Sequence, residues 1–319
     1  MSDGPAGQRI LVTGGAGFIG SHLTAALLDQ NEVRVLDDFS DGSRSNIPQG
    51  AEVIEGDVCD PHARQVAMKD VNLVFHEAAQ TDVGQSVEAP HTSQRINIGG
   101  TVGILEQARR EDAAVVLASS AAIYGDPEVV PITEEHGCNP CSPYGIEKLA
   151  ADHYTRMYAD LYGLRTVSLR YFNVYGRTPV TEDGSGVIAH FLRQALNDPP
   201  ITIHGDGNQT RDFIHLDDVV EATITASKVA TSGEAYNIGS GTRTSIQAVA
   251  ETIAALTNDT PIVHIDSRPG DIRHSQADVT KAQDELGFTA DVRLRDGIKS
   301  LVSTTQRVPT PSVTSETHD

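Results

Sequence analysis

The stretch ILVTGGAGFIGSHL (residues 10–23) joins a short apolar run, a glycine turn and an amphipathic segment without interruption. Its glycines at 14, 17 and 20 have the spacing G-x-x-G-x-x-G. That order of features predicts a strand, a tight turn and a helix. Gly14 permits the turn, Gly17 lets a pyrophosphate approach the backbone at the helix N-terminus, and Gly20 lets the helix pack close to the sheet. The next apolar run ends in Leu36-Asp37-Asp38, and Asp37 lies 17 residues beyond Gly20. A carboxylate at that distance accepts hydrogen bonds from the adenine ribose hydroxyls of a dinucleotide. It would repel a 2′-phosphate, and Asp38 rather than an arginine follows it. The reading is NAD in preference to NADP.

Outward from this loop, apolar runs at 10–12, 33–36, 53–54, 73–75, 115–118 and 166–169 alternate with helical patterns at 18–28, 91–110 and 143–162. Alternation of this kind predicts an α/β fold, a Rossmann-type doubly wound parallel sheet. After Tyr171 the texture changes. A polar glycine-rich loop (176–186) leads to a helix at 187–196, and NDPP stops that helix. Residues 213–227 read as a strand running into a helix, 235–241 as a strand with a glycine turn, and 245–256 and 294–304 as helices. The expected organisation is an NAD-binding domain over 1–175, joined again by a strand near 235–239. A smaller C-terminal α/β substrate-binding lobe covers 176–306. The aperiodic segment 307–319 is expected to be disordered.

The 319 residues carry 24 basic and 44 acidic side chains, a formal charge of −20, and only five of the cations are lysines. Such a surface argues against a nucleic-acid partner, which requires basic patches. It suits a protein adapted to high salt, where screening relieves the repulsion among carboxylates. The longest apolar run, near 113–118, is too short to span a membrane. The opening MSDGPAGQ has neither a basic region nor an apolar core, so the expected address is the cytoplasm. Cys59, Cys138 and Cys141 make an odd number and no disulfide framework. CNPC (138–141) has redox spacing with His136 nearby, but no second cysteine pair completes a zinc site, and no metal is expected.

Two further stretches carry chemistry. In SPYGIEK (142–148), Tyr144 and Lys148 stand four apart and share a helix face. Ser142 can cap that helix and Pro143 can open it. Tyr144 then sits in the first turn, where the helix dipole and Lys148 both favour phenolate. A tyrosine so placed can act as a base near neutral pH. Upstream, VVLASSAAIYG (115–125) ends a strand in hydroxyl residues. The carboxyl end of such a strand is where ligands gather, and Ser120 there can bond the same substrate oxygen as Tyr144.

TGGAGFIGSHL, GDV (56–58), HEAA (76–79), ASSAAIYG, SPYGIEK and LRYFNVYG (169–176) together resemble the extended short-chain dehydrogenase/reductase family. TRDFIHLDDV (210–219) and RPGDIRHSQAD (268–278) resemble its nucleotide-sugar-modifying branch, and the likeness spans about residues 9–300. It is nearest to the 4-epimerases of UDP-hexoses and their N-acetylhexosamine relatives. The resemblance implies a tightly bound, recycled NAD, with Phe18 and Ile19 at the pyrophosphate and Asp37 and Asp38 near the adenine ribose. It places Asp57 and Val58 at the adenine and Ala78, Ala79 and Thr81 on the nicotinamide side. Asn97 would support the cofactor region, with Tyr171 and Phe172 near the nicotinamide. Asn173, Arg211, Arg268 and Asp271 would bind the UDP-sugar, and the two arginines suit a diphosphate by their planar fork. Catalysis is implied for Ser120, Tyr144 and Lys148, through transient oxidation of the sugar at C4. The resemblance also implies a homodimer paired through the helices at 91–110 and 143–162.

Alternatives on the same scaffold differ at nameable positions. Dehydratases and decarboxylases of this branch resemble one another in an acidic residue just after the active-site hydroxyl, where this chain has Ala121 and Ala122. A uronic-acid 4-epimerase stays open, because no residue can be singled out as meeting a sugar carboxylate. Non-catalytic NAD sensors lose the tyrosine–lysine pair, which is intact here. Ser275 stands where 4-epimerases that exclude N-acetyl sugars resemble each other in a bulky tyrosine, so room for an acetamido group is expected.

Overall fold

The computed structural model describes residues 4–177, 186–197, 200–228, 233–257, 259–267, 270 and 272–305. Arg268 and Asp271, and the tail at 307–319, lie outside them. The first half of the chain lays down β1 (Arg9–Thr13), α1 (Phe18–Leu27), β2 (Glu32–Asp37), β3 (Glu52–Glu55), α2 (Pro61–Met68) and β4 (Leu73–His76). Next come α3 (Val83–Glu88), α4 (Pro90–Gln94), α5 (Thr101–Glu111), β5 (Ala114–Ser120), α6 (Pro143–Tyr162) and β6 (Thr166–Tyr171). The remainder gives β7 (Asn173–Tyr175), α7 (Val187–Leu196), β8 (Ile201–His204), β9 (Thr210–His215), α8 (Leu216–Lys228) and β10 (Glu234–Ile238). It closes with β11 (Arg243–Ser245), α9 (Ile246–Leu256), β12 (Ile262–Ile265) and α10 (Leu294–Thr305).

Seven strands form one parallel sheet in the order β10-β6-β5-β4-β1-β2-β3. The order reverses between β1 and β4, which opens a crevice outside their carboxyl ends. Both faces are covered, as side-chain alternation along the strands requires. Ile10, Val12, Phe75 and Leu169 pack on one face with Leu23 of α1 and Val219 of α8. Leu11, Val74 and Val115 pack on the other with Met68 of α2 and Ile104 of α5. A separate core of Phe191, Ile201, Ile203, Ile253 and Ile298 holds the smaller layer, where α7, α9 and α10 cover short strands.

Two features differ from the expectation. α8 does not stay with the small layer but seals the main sheet, and β10 follows at that sheet's edge beside β6, where a strand near 235–239 is expected to return. Apolar faces on both elements draw them onto the larger core. The helix expected over 91–110 begins with α4 and widens to a π turn at Arg95–Gly100 before α5 resumes. Such widened turns are frequent at functional sites, and this one carries Asn97.

Candidate active site

The glycine turn closes onto the crevice. Gly14 has φ +69°, and a Cβ there would lie 2.7 Å from the amide nitrogen of Ala78. A Cβ on Gly20 would stand 2.2 Å from the Gly14 carbonyl oxygen, so α1 approaches the turn as only glycine allows. Gly17 caps α1 with no side-chain hydrogen bond, leaving the amides of Phe18 and Ile19 without a capping partner. Asp37 is buried at the end of β2. One of its oxygens accepts from the Ala16 amide and the other from the Phe39 amide, each at 2.9 Å. The carboxylate thus fixes the loop and retains lone pairs for a ribose. An uncapped helix start, a glycine cradle and an acceptor at the tip of β2 fit a dinucleotide.

Other expected cofactor residues are placed less directly. Asp38 is exposed and folds back on Ser40, accepting from its amide at 3.0 Å and its hydroxyl at 2.6 Å. Asp57 pairs with Arg95 at 2.8 Å, while the Val58 side chain is buried in the main core. Ala78 and Ala79 follow β4 at the mouth, and Thr81 is exposed just beyond them. Asn97 supports this loop from behind. Its amide accepts from Gln80 N at 2.8 Å and donates to Gln80 O at 2.9 Å and to the buried Glu147 carboxylate at 2.7 Å. These bonds use both ends of the amide and tie the Gln80 loop to α6. Phe172 is buried in a cluster with Ile123, Tyr124 and Ala277.

Ser142 caps α6 by accepting from Gly145 N at 3.1 Å, with Pro143 in the first turn. Tyr144 follows, and its amide donates to Ser86 at 3.2 Å. Ser120, at the end of β5, acts on the Tyr144 hydroxyl and favours the ionised form. Ser120 also accepts from the Ala122 amide at 3.1 Å, so capping and site geometry share one hydroxyl. Lys148, one turn on, is buried and donates to the Ala118 carbonyl at 2.8 Å. Its ammonium lies 5.9 Å from the centre of the Tyr144 ring.

The electrostatics correct one expectation. Burial raises the Tyr144 phenol above its ordinary value, against the lowering effect of Ser120. Desolvation outweighs the favourable placement in the protein alone. Lys148 is pushed down to about 8 by burial, with Glu77 and Glu147 resisting. Glu77 was not singled out in the sequence. It stands half-buried after β4, pushed up to about 7 by burial against the pull of Lys148. The Tyr171 hydroxyl lies 3.2 Å from it. The signal available was the acid at the end of an apolar strand in LVFHEAA.

On the facing layer, Asn173 donates to the Asp212 carbonyl at 3.1 Å, which ties β7 to β9. Arg211 donates to the carbonyls of Thr210 and Ile272 at 2.9 and 2.6 Å. Ser275 is buried, and its amide donates to the Thr210 carbonyl at 3.1 Å. Cys59, Cys138 and Cys141 are free thiols. Among the described residues there is no cluster of three metal-ligating side chains and no helix long and apolar enough to cross a membrane.

A parallel sheet with a dinucleotide cradle at its switch point and a serine–tyrosine–lysine set beside it defines the short-chain type of nicotinamide-dependent enzyme. The family model for the NAD dependent epimerase/dehydratase family matches residues 10–239. The chain is 39% identical over 299 residues to a putative UDP-glucose 4-epimerase of Methanocaldococcus jannaschii, covering 92% of this chain and 97% of that one. The UDP-glucose 4-epimerase of Thermotoga maritima, solved with UDP-glucose, superposes with a TM-score of 0.89 at 35% identity, over 93% of this chain and 98% of that one. A UDP-N-acetylglucosamine 4-epimerase of Methanobrevibacter ruminantium, in complex with UDP-N-acetylmuramic acid, gives 0.89 at 32%, over 95% and 100%. This chain belongs to the NAD dependent epimerase/dehydratase family.

Proposed function

We propose that this protein is an NAD-dependent 4-epimerase of UDP-hexoses that also accepts the N-acetylhexosamine forms. The observation that carries the reading is the convergence of Ser120, Tyr144 and Lys148 on the end of β5, across the crevice from the Gly14–Gly20 cradle. Gly14, Gly17, Phe18, Ile19, Gly20 and Asp37 would hold the cofactor, and Lys148 its nicotinamide ribose. NAD, when bound, supplies a reversible hydride acceptor at the sugar C4. Tyr144 takes the proton of the 4-hydroxyl and later returns it, while Ser120 orients the same oxygen. A cationic Lys148 opposes the rise that burial imposes on the Tyr144 phenol. Asn173, Arg211, Arg268 and Asp271 are assigned to the UDP-sugar, and the buried, small Ser275 supports room for an acetamido group. Ala121 and Ala122 supply no acid for elimination, which favours epimerisation.

The partner is a second copy. The outer face of α6 shows Ile146, Tyr154, Met157 and Leu161 at helical spacing, with Val83 and Val87 of α3 exposed as well. This supports pairing through that face.

The test is incubation with UDP-galactose, UDP-N-acetylgalactosamine and UDP-glucuronate, with products resolved by NMR. Conversion of the first two to their 4-epimers is expected. Tyr144→Phe should retain NAD on purification and lose turnover by about 10²–10⁴-fold. Turnover near the parent rate in Tyr144→Phe would overturn the assignment.

A further inference from the structure

Lys148 is a buried ammonium whose recorded hydrogen bond is to a neutral carbonyl, Ala118 O at 2.8 Å. A buried cation needs a compensating anion nearby. Two carboxylates act on its charge. Glu147 precedes it on α6, but its Oε2 is held by Ser93 at 2.5 Å and Asn97 at 2.7 Å. The other is Glu77. The β4–β5 register sets His76 opposite Leu117, so Glu77 continues alongside Ala118, whose carbonyl holds Lys148. Register thus brings the Glu77 backbone beside the residue whose carbonyl Lys148 holds, while the Glu77 carboxyl reaches Tyr171. No ion pair to Glu77 occurs among the described residues, and its recorded side-chain partner is a hydroxyl.

We propose that Glu77 is a positioning residue for the reaction, the counter-charge that keeps the Lys148 ammonium charged beside Tyr144. The inference rests on the roles given above to Tyr144 and Lys148. A hydroxyl relay equips Glu77 for this. Tyr171 lies 3.2 Å from Glu77 and 2.7 Å from Thr223, and Thr223 donates to Val219 O at 2.7 Å. With Thr223 turned to that carbonyl, Tyr171 gives its only proton to Thr223, and Glu77 must itself donate to Tyr171. With Thr223 turned to Tyr171, the tyrosine proton is freed for an ionised Glu77. The relay serves either form of the carboxyl without an unpaired group. The charged or titratable groups around the pair are His76 on β4, Tyr144 and Glu147 on α6, and Tyr171 on β6; α8 contributes the neutral Thr223. Among the carboxylates Glu77 acts most strongly on Lys148, and Lys148 in turn draws Glu77 down.

The test uses the holoenzyme. The chain has only five lysines, so ¹⁵N-lysine labelling gives a small spectrum in which Lys148→Met identifies the buried Nζ. In Glu77→Gln the Lys148 Nζ should titrate about one pH unit or more below the parent, because an opposite charge has been removed. The alkaline limb of kcat should move down in step, and Glu77→Asp should restore most of the shift. A Lys148 midpoint unchanged in Glu77→Gln, or one that rises, overturns the proposal. The titration needs no turnover, so absence of epimerase activity would count against the proposed function and leave the counter-charge separately decided. If Glu77→Gln does not fold, the partial downward shift expected in Glu77→Asp decides the same question.

Discussion

His76 and Glu77 are neighbours at the end of β4, and their folded environments move them in opposite ways. His76 is enclosed and pushed down to about 3 by burial and by Lys148. Its hydrogen bonds define one neutral tautomer. Thr13 accepts from the Ala78 amide and gives its proton to Nδ1, while Thr101 gives its own to Asn97 O and so accepts from Nε2–H. The unfolded chain binds a proton at His76 below about pH 6.5 and the native protein does not, so this residue costs stability as pH falls from there. Glu77 has the reverse sign. The native protein protonates it near 7 and the unfolded chain only near 4.5, so it adds stability as pH falls through that window. Between about pH 6.5 and 4.5 the two slopes oppose each other. Urea denaturation of the cofactor-free protein across that window should show Glu77→Gln losing stability with acid faster than the parent, and His76→Gln more slowly. Curves parallel to the parent would refute both assignments.

At the scale of elements, α1 depends on contact rather than propensity. A Cβ on Gly20 would meet the Gly14 carbonyl at 2.2 Å, and backbone cannot give way cheaply. Gly20→Ala should cost about 1–3 kcal/mol or more in urea denaturation and lower the NAD recovered per chain on purification. Unchanged NAD content would show that α1 can shift without harm to the cradle. The same helix was legible in the sequence because strand, turn and amphipathic pattern adjoin. So was α6, whose Ser142–Pro143 start and Gly163 stop are local signals. The break at 95–100 was not legible, because it is held by Asn97 bonding to Gln80 and Glu147, partners set by tertiary packing. Tyr144, Lys148 and Ser120 could be read as a set from spacing. Glu77 could not be weighed, since its environment is made by Tyr171 and Thr223, far along the chain.

For the whole molecule, the net charge of −20 sets the terms of assembly. Bringing two such chains together through α6 opposes apolar gain with long-range repulsion, and salt screens the repulsion without weakening burial. Leu161, 63% exposed near the end of α6, is the most exposed apolar side chain on that face. Light scattering after size exclusion should show the dimer fraction rising with salt. Leu161→Glu should be monomeric at every ionic strength. A parent chain that stays monomeric in high salt would exclude this mode of pairing.

The place of β10 has a consequence for biosynthesis. This edge strand pairs with β6, yet it leaves the ribosome only after α7, β8, β9 and α8 have been made. Until then β6 presents an open row of amides and carbonyls, and Leu169, Val167 and Tyr171 lack the cover of α8. A nascent chain halted between β6 and β10 carries the complete nucleotide cradle on an unfinished sheet. That interval is when the polypeptide is most exposed to aggregation and most in need of a chaperone.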